Sequence, residues 1–124
     1  MYPTYKNKQL ISSNIFENKN NLQTGDIITF YSGLNYISNI YIKRVIGVPG
    51  DTIQIKEGIV YINGEQEPFN FPKIENAGSA ETPITLKDNE YFVLGDNRNY
   101  SNDSRVIGVV KKSHIIGIVE KYNK

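Results

Sequence analysis

The chain has 124 residues and a formal net charge of +1, with 14 Lys and Arg set against 13 Asp and Glu along its whole length. That length suits one compact domain with its own core, and so nearly balanced a charge provides no long-range field to draw in nucleic acid or an anionic surface. The absence of cysteine removes disulfide frameworks, thiolate nucleophiles and Cys-based zinc sites, and a single histidine argues against a metal centre.

The opening Met1-Tyr2-Pro3-Thr4 carries no signal by itself, and Tyr5 to Ile15 has room for a turn or two of helix without a sustained apolar period. Thr24-Gly25-Asp26 then punctuates the chain before Ile27-Ile28-Thr29-Phe30-Tyr31, a β-branched and aromatic run that predicts a strand. A second strand follows over Asn39 to Ile46. Its period of two sets Tyr41, Lys43 and Val45 on one face and Ile42, Arg44 and Ile46 on the other. One of the two cations therefore points inward, unless the strand lies at an edge from which Lys43 snorkels to water.

Val48-Pro49-Gly50-Asp51 makes a turn, and Thr52 to Lys56, Glu57-Gly58 and Ile59 to Ile62 read as a hairpin closing on Asn63-Gly64. From Glu65 to Lys87 the chain carries Pro68, Pro72, Pro83 and Gly78 with few periodic apolar positions, which predicts a long connection or small extension. Order resumes at Glu90 to Leu94. The last element, Ser113 to Tyr122, is β-rich, and apolar runs such as Ile115 to Val119 fall far short of the ~20 residues that cross a bilayer. Repeats are absent, no signal peptide is visible, and the expected fold is mainly β, made of short, mostly antiparallel strands in a single domain over 1–124.

Candidate chemistry gathers after the strand at 90–94. Gly95-Asp96-Asn97-Arg98-Asn99-Tyr100-Ser101-Asn102-Asp103-Ser104-Arg105 is dense in short polar side chains, with two aspartates and two arginines. Such a loop can be purely structural, because Asp and Asn accept backbone N–H bonds and Asp–Arg pairs lock bidentately. Placement directly after a hydrophobic strand also supplies the rigid support that a catalytic loop needs. His114 sits in no recognisable nucleophile motif and reads as an ordinary strand or loop residue.

Taken together, Met1-Tyr2-Pro3-Thr4, Gly25-Asp26-Ile27, Lys43-Arg44-Val45-Ile46-Gly47-Val48-Pro49-Gly50-Asp51 and the 95–105 loop occur in the order and wording of one family. The chain resembles the extracytoplasmic catalytic domain of the bacterial type I signal peptidases, from its first residue to about Gly108. The resemblance implies a serine endopeptidase with a Ser/Lys dyad that removes signal peptides from secreted preproteins. It also implies a membrane-anchored parent at the extracytoplasmic face of the cell membrane, acting at the membrane surface. By matching positions, Lys43 is the general base, Ser101 orients its amine, Asp103 and Arg105 form a supporting pair, and Arg44 is structural. Met1, Tyr2, Tyr41 and Ile42 are candidates to line the substrate cleft, which would admit small uncharged residues at the first and third positions before the cut. No cofactor, metal or nucleic acid is expected.

In that family the nucleophilic serine, whose main chain also serves the oxyanion hole, stands immediately before the methionine matching Met1. The expectation is thus a chain cut just after its nucleophile, lacking its anchor and inert by itself. Two alternatives are a catalytically silent relative that assists surface assembly and a self-cleaving repressor-type Ser/Lys peptidase, suggested by Ala77-Gly78 but disfavoured because such enzymes cut upstream of the nucleophile. Val106-Ile107 replaces the aromatic residues often found after the final Arg of the loop. Elementary chemistry sets one requirement on the dyad: with an ordinary pKa of ~10.4, only about one lysine in 2,500 is neutral at pH 7, so burial must lower it.

Overall fold

A computed structural model of the chain describes residues 21–32 and 40–122. The expectations that fall on Met1, Tyr2 and the 5–15 segment lie outside these residues. Among the described residues, nine strands form two sheets. The first sheet orders β8 (Val110–Lys111), β7 (Glu90–Leu94), β2 (Ile40–Gly47), β1 (Ile27–Tyr31) and β9 (Ile115–Glu120), and the second orders β5 (Glu65–Gln66), β4 (Ile59–Ile62), β3 (Thr52–Lys56) and β6 (Ile84–Thr85). Every described pairing is antiparallel.

The first sheet is covered on both faces, and its alternation shows how. On β2 and β7, Val45, Tyr91 and Val93 join Leu22, Ile28, Phe30, Val110, Ile115 and Ile118 in one buried cluster. Their neighbours Ile46, Phe92 and Leu94 turn the other way and pack with Ile53, Ile55, Val60, Ile74, Ala80 and Leu86 in a second cluster between the sheets. Two consecutive apolar residues on one strand thus serve two cores, which is why these strands read as continuous hydrophobic runs. At Gly47 the sheets approach so closely that a Cβ would sit 2.7 Å from Ile53 Cδ1 and 2.8 Å from Leu86 Cδ1.

The chain passes from one sheet to the other through Val48 to Asp51. The Asp51 carboxylate accepts from Val48 N (3.0 Å) and from Asn63 Nδ2 (2.9 Å), tying the turn to the end of the β3–β4 hairpin. The hairpin itself pairs Ile53 with Ile62 through to Lys56 with Ile59, as the sequence predicts. The 65–87 stretch is more ordered than a connection: it supplies both outer strands of the second sheet, β5 and β6, and a 3-10 turn at Gly78–Glu81. Sequence periodicity misses these because two-residue strands carry no period. It also misses α1 (Ser104–Ile107), a single helical turn capped by the Asp103 side chain, which accepts from Arg105 N.

Phe92 is fully buried between the sheets. Phe92→Ala is expected to lower stability by about 3–5 kcal/mol, measured as the change in urea midpoint at an unchanged slope; a loss below about 1 kcal/mol would mean that the two sheets do not share this core.

Candidate functional site

The site is built where β2 and β7 run side by side. Their register pairs Arg44 with Leu94 and Val45 with Val93, so Lys43 lies one step beyond the paired stretch, level with the start of the 95–105 loop. Lys43 projects on the face it shares with Tyr41 and Val45, and Arg44 on the opposite one. Both cations turn out to be engaged. Lys43 is half-buried and its Nζ donates to Ser101 Oγ at 3.0 Å. Arg44 is buried, donating from Nε and Nη2 to the two carboxylate oxygens of Asp96 (2.9 and 2.8 Å) and from Nη1 to Gly25 O (2.9 Å).

The charged side chains of the loop are not solvated: Asp96, Arg98, Asp103 and Arg105 are all buried, as is Ser104. Asp103 organises it. Its carboxylate receives Arg105 Nε (2.8 Å) and Nη2 (2.9 Å) and the backbone N–H of Gly95 (3.0 Å). Arg105 reaches back to Arg98 O at 2.6 Å, closing the loop upon itself. Ser104 Oγ accepts from Val93 N at 2.9 Å, which fastens α1 to the sheet.

These bonds determine how the Lys43 amine is presented. Lys43 donates one N–H to Ser101 Oγ, and the remaining valences of its amine point elsewhere. Burial pushes the Lys43 pKa below its ordinary value, aided by the charge of Arg105 and opposed by Asp103 and Asp96. For Asp103, burial favours the neutral acid, but hydrogen bonds from Arg105, Gly95 N and Ser101, with the Arg105 charge, outweigh it and hold the group below the usual carboxylate range.

Gly95 has a steric reason to be glycine. A Cβ there would overlap Ser101 Oγ and come within 3.4 Å of Lys43 Nζ. The loop can bring Ser101 to the lysine only because this position has no side chain.

Of the residues singled out from sequence, the structure brings Lys43, Ser101, Asp103 and Arg105 together. Tyr41 packs against the first core cluster, its ring stacked on Phe30 at 5.5 Å, and Ile42 is half-buried on the Arg44 side of the strand. His114 stacks on Tyr31 at 4.5 Å, away from the dyad. Gly78 lies against the backbone of Arg105, its φ of +57° at a position where a Cβ would meet Arg105 O at 2.6 Å. Sequence reasoning missed the partners of the arginines: Asp96 for Arg44, and Glu67, which binds Arg98 bidentately at 2.8 and 2.9 Å from 31 residues away. The Gly25-Asp26 box is structural, since buried Asp26 accepts from Gln23 N (3.0 Å), Tyr122 N (2.9 Å) and Lys121 Nζ (2.6 Å) and so joins the two ends of the described chain.

Known proteins resemble the chain along most of its length. Residues 1–122 match the family described as signal peptidase, peptidase S26. The chain is 38% identical over 133 residues to signal peptidase I V of Bacillus subtilis (strain 168), covering 96% of this chain and 77% of the relative. It is 34% identical over 137 residues to signal peptidase IB of Staphylococcus aureus, covering 96% and 70%. A crystal structure of a signal peptidase I from Enterococcus faecalis V583 superposes with a TM-score of 0.62 at 34% identity, covering 78% of this chain and 95% of that one. The fold and these relatives define a serine endopeptidase. More particularly, the chain belongs to the signal peptidase family, peptidase S26.

Because the folded pKa of Asp103 lies below its unfolded value, the stabilisation it gives is present above the unfolded value and is lost as pH falls through the folded one. Asp103→Asn should therefore be less stable than the parent chain at neutral pH, with the difference shrinking as pH is lowered below about 4. Thermal unfolding at a series of pH values measures this, and a difference that stays constant down to the lowest pH would show that Asp103 is not held ionised.

Proposed function

We propose that the chain carries the Lys43-centred half of a Ser/Lys dyad that cleaves signal peptides from secreted preproteins at the outer surface of the cell membrane. The observation that supports it is the half-buried Lys43 amine at 3.0 Å from Ser101 Oγ, with its pKa lowered by burial. Neutral Lys43 has one lone pair. With an N–H committed to Ser101, that lone pair is free to take the proton of the nucleophilic serine hydroxyl as its oxygen attacks the scissile carbonyl. The resulting ammonium then gives its proton to the departing amine, which frees the mature N-terminus and leaves an acyl-serine. A water deprotonated by the same lysine hydrolyses the ester. Arg44 cannot share this work, since its guanidinium stays charged at all working pH values and is already paired with Asp96.

Substrate recognition follows from β2. Among the described residues, Ile40 to Ile42 pair with β1 and lie beyond the stretch paired with β7, which leaves a strand edge beside Lys43 for an extended polypeptide. Tyr41 and Ile42 line the cleft in this reading. Shallow walls reject bulky side chains at the first and third positions before the cut by steric exclusion. Ile40 and Tyr100, 54% and 86% exposed and each close in sequence to a dyad residue, suit a site that works against a membrane surface.

Lys43→Met, in the chain carrying a serine before Met1, is expected to abolish cleavage of a preprotein with a small-x-small site. Undiminished hydrolysis would remove Lys43 from its role. The same change should raise thermal stability at neutral pH, because a lysine whose folded pKa is depressed weakens the fold below that pKa, and the deficit disappears only as pH rises past the unfolded value of about 10.5. In the active enzyme, kcat/KM should rise with pH along a limb set by Lys43, below the ordinary lysine range. A limb at the ordinary lysine value would contradict the assignment.

A further inference from the structure

The most heavily built feature outside the dyad is a short strap on the far side of the loop. Glu67, Phe69 and Phe71 alternate along an extended segment that leaves β5. Glu67 holds both terminal nitrogens of Arg98, with side chains 8% and 1% exposed respectively. The Phe71 ring lies 4.8 Å from the Arg98 guanidinium carbon and 5.6 Å from that of Arg44, while Phe69 lies 5.4 Å from Arg44. Phe69 in turn meets the Tyr122 ring edge-on at 5.2 Å. One phenyl ring thus serves two guanidinium groups that would otherwise repel each other at close quarters, each neutralised by its own carboxylate.

The polar contacts alone do not satisfy Arg98. Its Nε–H is the buried side-chain polar atom that lacks a hydrogen-bond partner among the described residues. A guanidinium so placed depends on the negative face of an aromatic ring for the rest of its stabilisation. What it holds leads straight to the dyad. Arg98 O accepts from Arg105 Nη2 at 2.6 Å, Arg105 grips Asp103, Asp103 binds the backbone N–H of Gly95, against which Ser101 packs, and Ser101 accepts from Lys43. Arg44 leads there by a second route, since it is adjacent in sequence to Lys43 and bonded to Asp96, which is adjacent to Gly95.

We infer that Glu67 and Phe71 are positioning residues for the reaction: by clamping Arg98 and Arg44 they fix the 95–105 loop in the one shape that sets Ser101 against Lys43. Neither touches the reacting atoms. They act on the dyad as read under Proposed function, by keeping Ser101 and Arg105 in place and water out of the space around the amine. Removing the strap loosens the loop, hydrates Lys43 and returns its proton affinity toward that of an ordinary lysine.

The test uses three variants, Phe71→Leu, Phe71→Tyr and Glu67→Gln. In the 124-residue chain the titration of Lys43 is followed by NMR at its 13Cε, assigned by loss of the signal in Lys43→Met. In the chain carrying a serine before Met1, kcat and KM are measured on a preprotein substrate. Phe71→Leu and Glu67→Gln are expected to move the Lys43 midpoint upward and to lower kcat about tenfold with KM within about twofold, whereas Phe71→Tyr, which keeps an aromatic face, leaves both unchanged. If Phe71→Leu and Glu67→Gln unfold at lower temperature but keep the parental Lys43 midpoint and kcat, the strap serves stability alone and the inference is overturned. Should Phe71→Leu not fold, Glu67→Gln against Phe71→Tyr decides by the same two readouts. Turnover surviving in Lys43→Met would sink the dyad assignment instead, a failure separable from that of the strap because the titration is read independently of activity.

Discussion

The site depends on one contact, the 3.0 Å hydrogen bond from the partly desolvated Lys43 amine to Ser101 Oγ. Ser101 is held in turn by its loop, which the Asp103–Arg105 pair closes upon itself. Burial lowers the proton affinity of the amine, and the loop sets what the amine meets. Both are properties of arrangement, since a lysine and a serine separated by 58 positions have no reason to meet until the sheet and the loop place them together.

Three buried or nearly buried ion pairs secure that arrangement: Arg44–Asp96, Arg98–Glu67 and Arg105–Asp103. Such pairs are a poor source of net stability, because removing both charges from water offsets most of the attraction. Their value here is directional. Each is bidentate, and two parallel N–H bonds fix a plane as well as a distance. A loop held by three such forks has few alternative shapes, which suits a segment that must present Ser101 with a tolerance well under an ångström. Lysine in place of any of these arginines would keep the charge and lose the plane.

The scaffold suits this demand for rigidity. β7 and the second half of β2, from Arg44 to Gly47, are buried, so the strand carrying Lys43 and the strand leading into the loop are set by two cores at once. The similarity to signal peptidases of Bacillus and Staphylococcus at 34–38% identity and to the Enterococcus structure covers this same framework.

The strand pattern was legible in the sequence wherever runs were long: 27–31, 40–47, the 52–62 hairpin, 90–94 and the closing strand all announce themselves by β-branched residues between turn signals. The dyad residues could be named for the same reason that their motifs are contiguous, and period-two geometry alone put Lys43 and Arg44 on opposite faces. Residues 65–87 were the least legible stretch, because their short strands borrow their order from β4 and β3 and have no periodicity of their own. The sequence by itself determined which residue types stand in the loop and which strand carries Lys43. Only the tertiary structure decided that Asp96 belongs to Arg44, that Glu67 and Phe71 reach Arg98, and that a glycine at 95 leaves room for Ser101. The physical reason is that pairing between distant segments is set by how sheets stack, and local propensity carries no information about what lies across the gap.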